Sequence, residues 1–412
     1  MTNDHEKKAK NNSGNKAQFK IIQGGLSNHA REVTFDQLKS YLQPILSEKI
    51  HINFLIGSGS SLPAIPIMGT TFSDYKKSHK NDGEFNNILK LYYEKCSNEA
   101  DLNNIELFLS WLANRVNGLS QSELGTEQKI KDELTKTLID SITKGYLKEI
   151  KKTNRGTKDE STNSPDSTTT NYELFIRRTA KLRESTSSQF DTVNLFTTNY
   201  DLFLENALDG LDYAYTDGFR AKLHPEFNIT EYSRRPVDVA HRFRNRWSPV
   251  SPFFRVYKLH GSINWIEVDD KIEKKSNIKE VGESVVIAPT TSKYADSQGA
   301  PYSDLFRELS VQLLNPNSLL VVNGFGFGDE HINELIIQAL GRSDFALLAF
   351  VKEDEVGVTR FMEKVRGNTK VTFITNGKEN DKANYFSTLV ELLAFEDPFE
   401  VHKNSEDPAS DK

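Results

Sequence analysis

Five short segments of the chain carry residues that could do chemistry together. Gly57-Ser58-Gly59-Ser60-Ser61 follows the apolar run 51–56, HINFLI. Glycines let backbone amides approach a phosphate, and small hydroxyls add donors. Position 62 is Leu, so the third glycine of a dinucleotide fingerprint is missing, and Pro63 and Pro66 argue against an immediate long helix. Thr197-Thr198-Asn199-Tyr200-Asp201 follows the run 192–196. Asn199 can donate and accept at once, which suits holding a water or a ribose hydroxyl, and Asp201 could accept from a carboxamide. The same Asn or Asp also stands where it could cap a helix over LFLENALDG. Leu259-His260-Gly261-Ser262 offers a histidine suited to acid–base work near neutral pH, or else a structural one satisfied by hydrogen bonds. Asn323-Gly324-Phe325-Gly326-Phe327-Gly328-Asp329 brings three glycines that permit close backbone approach to a ligand, and an Asp329 suited to an N-cap. Phe373-Ile374-Thr375-Asn376-Gly377 ends in Asn-Gly, by itself a turn signal.

The elements that must position these segments alternate. Strands are expected at 51–56, 192–196, 212–216, 255–259, 284–287, 318–323, 345–351 and 371–375, and helices at 171–185, 302–314, 330–341, 357–366 and 385–394. Buried strands alternating with amphipathic helices argue for an α/β, Rossmann-like doubly wound parallel sheet. In such a sheet all five segments lie at strand ends along one edge. Residues 84–116 and 126–151 read as helices, the second with Leu134, Leu138, Ile142 and Tyr146 on one packing face. The expected organisation is a flexible segment over 1–20, a Rossmann domain over 21–71 and 190–403, a mostly helical insertion over 72–189, and a flexible tail over 404–412. Within the insertion, 151–170 is nearly devoid of apolar residues and reads as a disordered loop.

Composition bounds the rest. The 412 residues include 52 Lys and Arg against 58 Asp and Glu, a net charge of −6, which argues against coating nucleic acid through bulk charge. No apolar run approaches the ~18–20 residues of a membrane span, and the N-terminus lacks a signal-like apolar region. Cys96, the single cysteine, excludes an intrachain disulfide and a zinc site of several cysteines. The histidines other than His260 show no metal-ligand spacing, so no metal is expected. A cytoplasmic protein without a membrane partner is the expectation.

The order of motifs resembles the sirtuin family, which carries a Gly-Ala-Gly-x-Ser loop, Gly-Ile-Pro-Asp-Phe-Arg, Thr-Gln-Asn-Ile-Asp, a His-Gly pair, a Gly-Ser/Thr-Ser turn and a late Asn. Here stand Gly57–Ser61, Ala64-Ile65-Pro66, Thr197–Asp201, His260-Gly261, the Gly324 turn and Asn376. Ile67-Met68-Gly69 replaces Asp-Phe-Arg, Thr198 replaces Gln, and the four zinc cysteines of the deacylase subgroup are absent. With a helical insertion in place of the zinc module, the layout resembles bacterial sirtuin-like NAD hydrolases of antiphage defence, above all the sirtuin subunit that works with a HerA-type hexameric ATPase.

The resemblance implies NAD as substrate, cleavage of the nicotinamide–ribose bond, and NAD depletion as an abortive-infection response. It assigns Asn199 and His260 to catalysis. It assigns Gly57, Ser58, Gly59, Ser61, Thr198, Asp201, Gly324 and Asn376 to binding, with no zinc. It also implies a homo-oligomer, gated by assembly or by a HerA-type ATPase partner. The alternatives are an NAD-dependent protein deacylase and a non-catalytic sensor of NAD or ADP-ribose. Ser233–Trp247, SRRPVDVAHRFRNRW, interleaves arginines with Phe243 and Trp247. That composition serves a protein interface or, weakly, nucleic acid.

Overall fold

The computed structural model of the chain describes residues 18–26, 30–47, 49–96, 101–118, 125–154, 167–184, 190–243, 246–276, 278, 285–287, 301–378 and 382–395. The runs HINFLI and SLLVVN are apolar without alternation, as strands covered on both faces must be. They form β3 (His51–Ile56) and β12 (Ser318–Asn323), which pair in parallel at the middle of a sheet. Beyond β3 lie β4 (Thr192–Thr197), β8 (Phe253–Lys258) and the two-residue β5 (Tyr215–Thr216). Beyond β12 lie β13 (Phe345–Phe350) and β14 (Val371–Asn376). These strands all pair in parallel, whereas β1 (Phe19–Gln23) and β2 (Arg31–Val33) add an antiparallel pair outside β14. From β3 the chain builds outward on one side, then returns to β12 on the other. The β3/β12 boundary is therefore the topological switch point, where such sheets open a ligand crevice.

Side chains alternate between two helical layers. Phe54, Leu195, Val256 and Val321 share a core with α1 (Phe35–Ser47), α6 (Thr168–Glu184), α7 (Phe203–Gly210) and α11 (Phe386–Leu392). Leu55, Phe196, Tyr257 and Val322 point the other way, against α8 (Tyr302–Leu313), α9 (Glu330–Ala339) and α10 (Val356–Lys364). Register in the central strands is fixed by polar groups buried inside the sheet. Asn194 Nδ2 donates to Asn53 Oδ1 at 2.8 Å, and Asn53 Nδ2 donates to Ser318 Oγ at 2.8 Å. A slip by one residue would leave these amides unpaired among apolar side chains, at about 1–3 kcal/mol each.

The insertion is not one body. Phe72, Phe85, Phe108, Leu112 and Leu134 form a core of their own among α2 (Met68–Ser78), α3 (Gly83–Tyr93), α4 (Ile105–Gly118) and the first half of α5 (Gly125–Asn154). Farther along α5, Leu138, Ile142 and Tyr146 belong to the sheet's core instead. The expected helix over 84–116 is two helices, because the 3-10 turn Asp101–Asn103 separates α3 from α4. The soft segment expected over 151–170 narrows at both ends: α5 runs to Asn154 and α6 starts at Thr168, while 155–166 lies outside the described residues. Helix α6, assigned by sequence to the insertion, packs on the sheet, with Phe175 edge-on to Phe54 at 5.0 Å. Phe19 and Lys20, expected in a flexible lead-in, begin β1, since Phe19 is buried. The residues before 18 and after 395 lie outside the described ones.

The strand expected near 284–287 is β11 (Val285–Ile287). It pairs with β9 (Gly261–Val268), which also pairs with β10 (Lys271–Lys274), in a small antiparallel sheet. The arginine-rich segment forms a two-stranded ribbon, β6 (Val237–Phe243) and β7 (Arg246–Pro249), with Val239 and Trp247 exposed. Its base is pinned where Arg235 makes a paired hydrogen bond to both Asp191 oxygens, each 2.8 Å.

Candidate active site at the switch point

The loop after β3 turns at once into a single 3-10 turn, Ser58–Ser61, and lies against the loop after β12. A Cβ at Gly57 would sit 2.3 Å from the Gly324 carbonyl oxygen, and one at Gly324, where φ is +69°, would sit 2.4 Å from Ser60 N. The glycines are therefore required by the meeting of two backbones. This narrows the phosphate role read from sequence. Gly57 N donates to Asn323 O and Gly59 N to Gly324 O, both at 2.9 Å, and Ser60 N donates to Gly57 O at 3.0 Å. Three amides of the loop are thus spent within the fold. Ser60 is buried and donates to Asn323 Oδ1 at 2.8 Å, while Ser58 is exposed.

Asn199 sits beyond the end of β4, over this loop. Its Nδ2 lies 3.0 Å from Gly57 O, 3.0 Å from Ser61 Oγ and 3.4 Å from Tyr172 OH. A main-chain carbonyl can only accept, so the atom facing Gly57 must be the amide nitrogen. The oxygen, Oδ1, then faces away, buried and without a hydrogen-bond partner. Asn199 N donates to Thr197 Oγ1 at 3.0 Å, and Thr197 Oγ1 donates to Ile56 O at 2.8 Å, which locks the turn to β3. Thr198 N donates to Ile56 O at 3.3 Å, so Thr198 contributes its backbone to the same junction.

Asp201 divides its oxygens. Oδ2 accepts from Ser61 Oγ at 2.8 Å, and Oδ1 accepts from Phe203 N at 3.2 Å, in the first turn of α7. The N-cap of α7 is Leu202, which makes no side-chain cap bond, so Asp201 reaches the helix from one position before the cap rather than as the cap itself. Burial pushes its carboxyl above the usual range, and the Lys258 charge and the Ser61 hydrogen bond pull it back.

His260 follows β8 as Asn199 follows β4. Thr197 and Lys258 are register partners, and each precedes its residue by two positions. The two side chains therefore leave neighbouring strands at the same level. Gly261, at φ +90°, turns the chain from β8 into β9 in a conformation an L side chain disfavours. His260 Nε2 lies 3.1 Å from Asp329 Oδ2, while Asp329 Oδ1 accepts from His331 N and Ile332 N at the start of α9. Asp329 is an N-cap, as expected, and it also orients the imidazole. That pairing was invisible in the sequence, where the two stand 69 residues apart.

Tyr172 is a further residue that sequence reasoning missed, as is Lys258, whose Nζ donates to Asp201 O. Tyr172 lies on α6, stacks on Phe203 at 5.3 Å, and brings its hydroxyl within 3.0 Å of Ser61 Oγ. The signal available was a lone Tyr in an amphipathic helix, indistinguishable from core. Burial holds its hydroxyl protonated far above neutral pH. Gly57, Ser58, Gly59, Ser61, Thr198, Asn199, Asp201 and Gly324 thus come together at the switch point, with His260 on the next strand end. Asn376 does not join them directly. It ends β14, two strands from β3's neighbour β12, and its Oδ1 accepts from Ala383 N at 2.9 Å. The adjoining Asn384 O accepts from Asn323 Nδ2 at 3.1 Å, so the 383–384 segment spans the ends of β12 and β14.

Among the described residues, no group of three or more His, Cys, Asp or Glu could hold a metal ion, and no helix is long and apolar enough to cross a membrane. The model of the family described as SIR2-like domain matches residues 193–374, from β4 into β14. The match takes in Asn199, Asp201, His260 and Gly324, and leaves out the Gly57 loop and Asn376. A search of curated proteins finds no match. Over residues 193–374 the chain is thus similar to SIR2-like domains, a group of NAD-dependent proteins, on an α/β Rossmann-like sheet.

Proposed function

We propose that the chain is an NAD hydrolase that cleaves the nicotinamide–ribose bond to give nicotinamide and ADP-ribose. The observation that carries this reading is Asn199, whose amide is anchored through Nδ2 and presents a buried, unpaired acceptor at the switch point. Such an acceptor suits a donor brought by a ligand, either a ribose hydroxyl or the attacking water. Nicotinamide is already cationic in NAD and leaves with the bonding pair as a neutral base, so no strong acid is needed. The transition state resembles that of glycoside hydrolysis. Water oxygen bonds to the anomeric carbon, and His260, oriented by Asp329, takes the proton, a role typically worth about 10²–10⁴-fold. Asp201 accepts from the carboxamide in this reading, and Ser58, Gly324 and Asn376 line the path toward the phosphates and adenosine.

The test is chromatographic. Purified protein is incubated with NAD, and nicotinamide and ADP-ribose are followed for wild type, Asn199→Ala and His260→Ala. The expected result is release by wild type and at least a hundredfold loss in each folded variant. Near-wild-type release by either variant overturns the assignment. Tight NAD binding without turnover moves the reading to a sensor, and O-acetyl-ADP-ribose formed from an acetylated peptide moves it to a deacylase. Antiphage NAD depletion, gated by homo-oligomerisation or by a HerA-type ATPase, extends the proposal and rests on resemblance to the sirtuin-like defence enzymes. A monodisperse monomer, fully active without trigger or partner, would contradict the gating.

A further inference from the structure

Lys258 ends β8 with its side chain only 1% exposed. It shares the sheet face of Phe254 and Val256, the face that α7 covers. A lone ammonium there loses several kcal/mol of hydration, so it requires partners. Two are present. Nζ donates to the main-chain carbonyl of Asp201, and it lies 3.4 Å from Glu205 Oε1 on the first turn of α7. Glu205 Oε2 is buried with no hydrogen-bond partner, so within the pair Lys258 is the carboxylate's main compensation.

The placement matters more than the pairing. The gripped carbonyl belongs to the residue two positions after Asn199, and Lys258 itself stands two positions before His260. One side chain therefore joins the two strand ends that carry the proposed chemistry. The Asn199–Asp201 turn is held on its other side by Ser61, Gly57 O and Thr197 Oγ1. Tyr200 O, in the middle of the turn, accepts from Ile263 N at 3.0 Å and from Ser262 Oγ at 3.3 Å, which leaves the Asp201 carbonyl to Lys258.

We propose that Lys258 is a positioning residue: by gripping the Asp201 carbonyl, with Glu205 as counter-charge, it sets where Asn199 presents its acceptor relative to His260. The activity arm of this proposal rests on the hydrolase reading above.

Lys258→Met alone leaves Glu205 buried and uncompensated and so risks unfolding. The deciding variant is therefore Lys258→Met with Glu205→Leu, since exchanging a whole buried ion pair for apolar groups is often neutral or stabilising. Three quantities are read: the melting temperature, KM and kcat for NAD, and the crystal structure of the variant. A melting temperature near wild type, an almost unchanged KM and a kcat about 10- to 100-fold lower are expected, the loss that a small misplacement of a reacting group produces. The crystal should show the Asp201 carbonyl turned away and Asn199 displaced from Gly57 O. Wild-type kcat in the double variant, or an unmoved Asn199, overturns the proposal. If wild type itself releases no nicotinamide, the hydrolase reading fails separately, and the position of Asn199 in the crystal decides this one.

Discussion

Asn199 is held by three contacts from one nitrogen, which makes the amide's orientation a testable quantity. Asn199→Asp keeps shape but puts a carboxylate oxygen against the Gly57 carbonyl. A loss of about 1–3 kcal/mol of stability is expected, read by denaturant melts, together with loss of turnover; an active, equally stable variant would show that orientation is irrelevant. Glu205 gives a pH signature. Burial holds its carboxyl above the usual range, against the pull of Lys258. The folded chain thus prefers the proton. The stabilisation is full below the unfolded value of about 4.3 and fades as pH rises through the raised folded value. Glu205→Gln mimics the protonated group, and the Lys258 attraction, felt only by the ionised carboxylate, is already contained in the net upward shift. The difference in melting temperature should therefore shift in the variant's favour from pH 4 upward; a difference that does not change with pH would refute the buried-carboxyl account. At this scale the sequence was informative about identities and silent about partners. Asn199, Asp201 and His260 stood out by following strands. Asp329 as the imidazole's partner, Tyr172 and Lys258 did not, because each is fixed by contacts across long stretches of chain.

Among elements, the β3 and β12 loops touch closely enough to exclude a methyl group. Gly57→Ala and Gly324→Ala should each cost about 1–3 kcal/mol or more through overpacking or strain, and should weaken NAD binding by calorimetry. Gly328→Ala is the control, since nothing lies within 4 Å of its Cβ position; equal damage there would mean the loop contact is not the cause. Tyr172→Phe removes the hydroxyl shared by Ser61 and Asn199. A loss of about 1 kcal/mol is expected, with a lower kcat, because the hydroxyl that links α6 to Ser61 and Asn199 is gone; an unchanged melt and rate would relegate Tyr172 to packing. Strands buried on both faces were legible because their runs are uniformly apolar. Of the short or antiparallel strands, β5 and β11 were legible, but β1, β2, β9 and β10 were not: they lack such runs and form only where a neighbour supplies hydrogen bonds. The same cause left the partner of α6 illegible, since an amphipathic helix shows that it packs, not on what.

For the whole molecule, the separate cores predict separable stability. Phe108 is fully buried in the insertion's own cluster. Phe108→Ala should cost about 3–5 kcal/mol locally, so that hydrogen exchange quickens across α2–α4 while β3, β4 and β12 keep their protection. Exchange that quickens everywhere together would mean a single cooperative unit. The sheet's borders have a consequence of another kind. One border is β2, three residues with Arg31 and Glu32 exposed, and the other is β5, two residues long. Neither offers the long, flat, uncharged row of amides and carbonyls that another chain needs to add a strand, a common natural safeguard against fibre growth. Among the described residues, copies of this protein crowded together are thus guarded against polymerising through the borders of the large sheet.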